Sequence, residues 1–295
     1  MRDTRDMLLV LLSSLLMLTG CSRRDILDDY PVSGVEISLD WNGVTNKLPE
    51  GVRVIFYPKN AEGRKIDTYL SVKGGKVKVP PGRYSVVVYN YDTETVQIRG
   101  EEAYETIEAF TGHCNGLGIA GTEQLVWGPD PLYVVRIDDL KIENSEEELQ
   151  LNWKPKLVVK TYSFKLKVQG LEYVSSIVGS IEGMSSCYDL GLGCGKAGDS
   201  PIYFAARGSA GEVTGSFTVF GTSEGVISRA GNAIKLTLAF VKTDNKVQKM
   251  EVDITEVIAN SESGGSGGDD DGDEPFKEIE LPVEDEVKVD KPDSS

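Results

Sequence analysis

The sequence predicts an all-β protein built as two tandem β-sandwiches of the immunoglobulin-like type. Three observations predict it. Apolar residues alternate with polar ones or run in short β-branched and aromatic blocks, and turn residues punctuate these blocks at short intervals. The stretches on either side of Pro155 are also each roughly 110 residues long, close to the ~100 that one such sandwich takes.

The first 20 residues read as an export signal. Arg2 and Arg5 precede an apolar run, Met7 to Leu18, interrupted only by Ser13 and Ser14, and Thr19 and Gly20 lead into Cys21. The run is shorter than the ~20 residues a spanning helix needs, so it targets the chain without remaining as a membrane span. Leu18-Thr19-Gly20-Cys21 has the small residues a lipoprotein signal peptidase accepts and a thiol that takes the diacylglyceryl group. Cys21 is therefore the lipidation site, and the membrane is a partner through that lipid. Ser22 stands where Asp would favour inner-membrane retention, which by resemblance to other lipoproteins implies sorting to the outer membrane, with the cell surface as the expected face and the periplasmic face as the alternative.

A polar spacer, 21–33, leads into the first sandwich, 34–154. Val35 to Trp41 alternates over seven residues, and Val52–Tyr57 and Tyr84–Tyr91 are apolar blocks of buried strands. Pro80-Pro81-Gly82 supplies the fixed φ and the positive φ of a type II turn. Glu101–Phe110 is expected to be a short helix, Gly112–Gly121 a glycine-rich loop and Leu132–Ile137 a strand, followed by an acidic stretch, Asp138–Glu148.

The second sandwich, 155–260, opens with Tyr162-Ser-Phe164-Lys-Leu166-Lys-Val168, which puts every apolar side chain on one face. Further strands are expected at Val174–Met184, Ile202–Ala206, Val213–Phe220, Ile234–Val241 and Val247–Ile254. An acidic Gly/Ser/Asp linker, 261–275, precedes a tail, 276–295. In the tail, Ile279, Leu281 and Val283 alternate with Glu280 and Pro282, so residues 276–283 are expected to add to an open edge, that of the second sandwich or of a neighbouring subunit.

Removal of 20 of the 295 residues leaves 275, enough for two domains with cores of their own. The formal charge is −16, and Ser261–Ser295, with 13 acids and 3 lysines, carries −10 of it. With no basic stripe, nucleic acid and direct binding to anionic lipid are excluded as partners. Cys114, Cys187 and Cys194 remain after lipidation; Cys187 and Cys194 flank a six-residue segment and are candidates for one disulfide, the alternative being three free thiols.

No catalytic, metal or cofactor site emerges. Gly116–Gly121 and Gly193–Gly198 both match G-x-G-x-x-G, yet neither opens a helix inside a βαβ unit as a dinucleotide site requires. Gly221-Thr-Ser223-Glu-Gly225 matches a nucleophile elbow but lies between strand-like blocks, and His113 is the sole histidine available as a base. Asp269, Asp271, Asp273 and Glu280 follow a calcium-loop spacing with Glu274 at the turn position that needs glycine. Trp41, Trp127 and Trp153 are candidates for a sugar platform or for core.

Val52-Arg-Val-Ile-Phe-Tyr57-Pro58, Gly74-Gly75, Pro80-Pro81-Gly82-Arg-Tyr84, Tyr89-Asn90-Tyr91-Asp92 and Gly128-Pro129-Asp130-Pro131-Leu132-Tyr133 resemble the fimbrillin-like lipoproteins of Bacteroidales, among them minor-fimbria anchor subunits, and Lys156–Gly170 continues the likeness. The resemblance covers most of residues 21–260. It implies transthyretin-like sandwiches, a non-enzymatic fimbrial anchor, accessory or adhesin role, fimbrial subunits as partners, and joining by strand donation. The alternative is an outer-membrane glycan-binding lipoprotein.

Overall fold

Val54–Tyr57 and Tyr84–Asn90 are buried on successive residues because both faces of their strands are covered. The computed structural model describes residues 33–45, 47–60, 63–114, 124–145, 147–197, 200–220, 233–263, 276–282 and 287–292. Its strands lie in two sheets.

The first sheet runs in the order β10 (Leu149–Trp153), β1 (Ser33–Leu39), β4 (Gly74–Val79), β3 (Ile66–Ser71), β2 (Gly51–Pro58), β5 (Gly82–Asn90), β9 (Tyr133–Ile142) and β11 (Lys156–Leu157). β3 and β4 meet at the single pair Ser71 and Gly74, so the sheet folds over there into two layers. Val35, Ile37 and Leu39 of β1 and Val77 and Val79 of β4 face Val52, Val54 and Phe56 of β2 and Val86 and Val88 of β5 across one core. β1 pairs antiparallel with β4 and parallel with β10.

The alternate residues of β2 and β5, Ile55, Tyr57, Val87 and Tyr89, point to the opposite face and enter a second core. Its other side comes from β6 (Val96–Arg99), β7 (Glu108–Thr111), and Val159, Leu190 and Phe220 of the second half of the chain. This double burial is why neither β2 nor β5 alternates.

The second sheet runs in the order β19 (Val247–Asp253), β18 (Lys235–Lys242), β13 (Val174–Glu182), β16 (Ile202–Ser209), β17 (Glu212–Phe220), β14 (Ser185–Asp189), β7 and β6, with β12 (Val159–Gln169) on β17, β15 (Cys194–Ala197) on β14 and β8 (Val126–Trp127) on β16. Tyr162, Phe164, Leu166 and Val168 of β12 bury into the third core with Phe204, Phe217, Leu238 and Phe240. The architecture is all-β, as expected. The chain changes sheet between β11 and β12, at Val158, while the β6–β7 hairpin from the first half pairs with β14 of the second through Cys187 to Phe110.

Three local expectations are corrected. Glu101–Phe110 is not a helix: 101–106 is a turn, and 108–111 is strand β7. The helical spacing of Ala103, Ile107 and Phe110 loses to cross-strand pairing with Val96–Arg99, which buries Ile107 and Ala109 with Val96. The strand begun at Leu132 extends through the acidic stretch to Ile142, which is buried. An unexpected helix, α1 (Thr255–Ser263), ends the second sandwich and takes the first three residues of the expected linker, 261–263. Asp253 accepts the Thr255 backbone N–H at 2.9 Å, and Ile254 and Ile258, one turn apart, are both buried.

Candidate assembly edge

β12 offers β17 one edge and the tail the other. β20 (Phe276–Glu280) runs parallel to β12, in register from Thr161 opposite Phe276 to Lys165 opposite Glu280. β21 (Val287–Lys288) continues on the same edge, Val168 opposite Val287 and Gln169 opposite Lys288. Of the expected strand 276–283, residues 276–280 pair with β12 of the second sheet within one chain, and the tail lies along β12 at 161–165 and again at 168–169; residue 283 lies outside the described residues.

Alternation seats it. Ile279, Leu281 and Val289 are buried in the third core, and Glu278 and Glu280 face solvent. The far end is clamped from β19: the Gln248 side-chain amide donates to the Lys288 carbonyl at 2.8 Å, and its oxygen accepts the Asp290 N–H at 3.0 Å. β19 ends the strand order of the second sheet, so this clamp ties the tail on β12 to that end strand. Val289 N–H donates to the Gln169 carbonyl at 2.9 Å. At the near end, Lys277 Nζ donates to the Ser261 carbonyl at 2.8 Å, bringing the start of the tail beside the end of α1.

The ladders also place the two ends of the molecule. Ser33 opens β1 opposite Val79, while Leu39, at the other end of β1, pairs with Trp153 beside the crossover to the second sheet. β21 pairs with the end of β12 remote from Val159, where β12 leaves the crossover. β1 thus starts at the end of the first sheet remote from the crossover, and β21 lies along the far end of β12 in the second.

Between the halves, Asp189, with its side chain 2% exposed, accepts Lys196 Nζ at 2.9 Å and the Leu192 N–H at 2.8 Å. Glu108 takes Lys196 at 2.9 Å and also pairs with Arg99. Burial opposes ionisation of Glu108, but the Lys196 and Arg99 hydrogen bonds outweigh it and hold its carboxyl below the usual range. Arg136 donates to the Gly191 carbonyl at 2.6 Å and pairs with Asp138 at 2.7 Å. On the first sheet, Arg53 joins Asp67 at 2.6 Å and Glu101 at 2.5 Å, tying the 101–106 turn to β2 and β3.

The other residues singled out from sequence do not converge. Cys21, Gly116–Gly121, Gly221–Gly225 with Ser223, and Asp269 to Glu274 lie outside the described residues. Cys187 and Cys194 are free, as is Cys114. Across the β14–β15 hairpin Cys187 faces Lys196 and Cys194 faces Asp189, which makes the two cysteines diagonal neighbours. Such pairs sit ~7 to 8 Å apart, beyond the reach of an unstrained bridge. Burial pushes the Cys114 thiol up to about 11 and raises that of Cys187, so neither is a ready thiolate. Gly193 turns that same hairpin with φ +74°, a strand connection and not a phosphate loop.

His113 forms an isolated bridge with Val126. Trp153 is buried; Trp41 is half-buried, with its indole N–H donating to the Val72 carbonyl at 2.6 Å; Trp127 is 38% exposed and meets Tyr203 edge-on. The three tryptophans therefore form no common platform. Among the described residues no helix is long and apolar enough to cross a membrane.

A family model described as "Domain of unknown function (DUF5119)" matches residues 20–205. The chain belongs to the DUF5119 family. This member is 60% identical, over all of its length and 92% of the relative's, to a protein of Bacteroides ovatus provisionally named fimbrium anchoring subunit Fim4B. A crystal structure of a protein provisionally described as an adhesin from Bacteroides ovatus is 57% identical, with a TM-score of 0.78, covering 94% of this chain and 99% of that one. The fimbrial anchor protein Mfa2 from Porphyromonas gingivalis, 11% identical with a TM-score of 0.53 over 84% of this chain and 89% of its own, shares the fold. The resemblance to fimbrial anchors carried by the turn and strand motifs of the first domain is borne out by these relatives.

Sequence alternation found the tail strand. It gave no sign of the Gln248 clamp, because a glutamine on an amphipathic strand looks like any solvent-facing residue until the tail's backbone is brought beside it.

Proposed function

We propose that this DUF5119 member is a non-catalytic fimbrial subunit, an anchor, accessory or adhesin component, tethered to the outer membrane at the cell surface by a lipid on Cys21 and joined to fimbrial subunits through the β12 edge. The docked tail carries the reading. It is held by one parallel ladder, a few apolar side chains and the Gln248 clamp, so it is a separable strand on a completed sandwich. Lys277 reaches Ser261 directly, while the intervening residues 264–275 form a Gly/Ser/Asp segment whose composition and length give an r.m.s. reach of ~20 Å. That length exceeds what the docked tail requires and suits a strand that is passed to a neighbour. The separation of the two elements fits an anchor: the chain from the lipid tether enters the first sheet through β1, and the exchangeable strand belongs to the second. The names of the relatives point the same way.

Cross-linking on intact cells followed by purification of the chain tests this. Fimbrial subunits recovered in a ladder are the expected result; their absence together with retained polysaccharide would overturn it in favour of glycan capture. One observation favours that second reading: Tyr69 and Tyr91, both exposed, meet edge-on at 5.4 Å beside the Arg53 and Asp67 pair, an aromatic patch with polar neighbours.

A further inference from the structure

The tail and the strand beneath it carry opposite charges on the face they turn to solvent. On β12 the outward positions are Ser163, Lys165 and Lys167; on β20 they are Glu278 and Glu280, with Ile279 between them facing the core. The parallel register sets Ser163 opposite Glu278 and Lys165 opposite Glu280. Lys165 Nζ also lies 3.4 Å from the Glu278 carboxylate, so Lys165 pairs with one tail acid and stands opposite another in the ladder. On its other side β12 faces β17, where Ser216 stands opposite Ser163, Thr214 opposite Lys165 and Glu212 opposite Lys167; the acid directly opposite Lys165 and the one in its ion pair both come from the tail.

An exposed pair of this kind contributes little to stability, since water screens both groups. Discrimination is another matter. A like charge placed opposite on a neighbouring strand repels where the opposite charge attracts, and the difference between two candidate strands counts both effects. The apolar positions cannot make this distinction, because any strand alternating Ile, Leu or Val fits the core equally well. A one-residue slip would also turn the acids inward and the apolar residues out, so charge and core enforce the same register.

We propose that the β12 edge selects its incoming strand by charge: it takes a parallel strand from a neighbouring subunit that repeats the acid-apolar-acid-apolar order of Glu278 to Leu281, with Lys165 as the specificity-determining residue. The inference rests on the reading that the tail exchanges between subunits. It identifies the partner by the chemistry of its donated segment, an acidic amphipathic strand, and it rejects strands with basic outward positions.

The test uses full-length protein and its full-length Ile279→Asp variant, whose own tail is loosened. Two fluorescent peptides are offered: residues 275–290 as they stand, and the same peptide carrying Glu278→Lys and Glu280→Lys. The native peptide should bind about tenfold more tightly at low ionic strength, and the gap should close near 0.5 M salt, where the Debye length falls below about 5 Å. On a Lys165→Glu acceptor the preference should reverse. Equal binding of both peptides at every salt concentration would overturn charge selection and leave strand exchange standing. Failure of both peptides to bind the Ile279→Asp acceptor would overturn the exchange reading itself, and this inference with it.

Discussion

Gly170 and Val289 are in direct backbone contact: a Cβ on Gly170, whose φ is +82°, would lie 2.4 Å from the Val289 carbonyl oxygen. The chain leaves β12 at this glycine, and the residue just after β21 lies against it. The contact couples the geometry of one strand's exit to the docking of another more than a hundred residues later.

Gly170→Ala should therefore loosen the end of the tail. The left-handed conformation alone costs a non-glycine residue about 1 to 2 kcal/mol, and the new methyl group must push Val289 away. The expected outcome is a lower Tm with faster amide exchange confined first to 287–290. An unchanged exchange pattern at Val289 would show that this contact does not hold the tail.

Ile279 is 4% exposed and is the main apolar peg of β20. Ile279→Ala removes buried methyl groups and should weaken docking by about 2 to 4 kcal/mol. Because β20 lies at the sheet margin, the loss should release the tail before it unfolds the sandwich. Proteolysis should cut near 264–275 and lift off 276–282 while the rest survives, whereas Glu280→Ala, on the solvent face, should behave like the parent.

Much of this fold was legible because burial on one face leaves an alternating signature. β12, with four inward and three outward residues in strict order, could be read directly, and so could β20. What could not be read depended on partners distant in sequence. The apolar blocks of β2 and β5 announced burial on both faces without saying that β6, β7 and the second half supply the second cover. Helical spacing in Ala103, Ile107 and Phe110 was overridden by pairing with β6, and α1 was hidden because its capping Asp253 sits at the end of an alternating strand. The candidate edge was half legible: sequence supplied the tail strand, but its parallel direction and the Lys165 and Gln248 contacts exist only after the sandwich closes.

The joint between the halves should be acid-sensitive. Glu108 has its folded pKa depressed below the ordinary 4.5, which makes its pairing a stabilising contribution present above that value and lost as pH falls through the lower folded value. Stability should thus drop as pH goes from about 5 towards 3. Glu108→Gln should be less stable than the parent at neutral pH and less dependent on pH in this window, as measured by Tm across a pH series. Parallel curves for the two proteins would exclude Glu108 as a source of the dependence.

Lipid attachment makes the last prediction, and it concerns a residue outside the described part of the chain. The apolar run Met7–Leu18 is too short to remain as a span, and no described helix can serve as one. If acyl chains on Cys21 alone hold the protein, Cys21→Ala should move the body of the chain from the membrane pellet to the soluble fraction, since each buried methylene contributes ~0.8 kcal/mol and two or three chains are lost together. The fold should be unaffected, because β1 begins 12 residues later, at Ser33. Tail exchange should be unaffected as well, because β12 and β20 belong to the second sheet, whereas the chain from Cys21 enters the first through β1. A variant that binds the native tail peptide normally yet fails to attach fimbriae to cells would separate tethering from assembly. A variant that stays in the pellet after a salt wash would show that something other than the lipid holds the chain to the membrane.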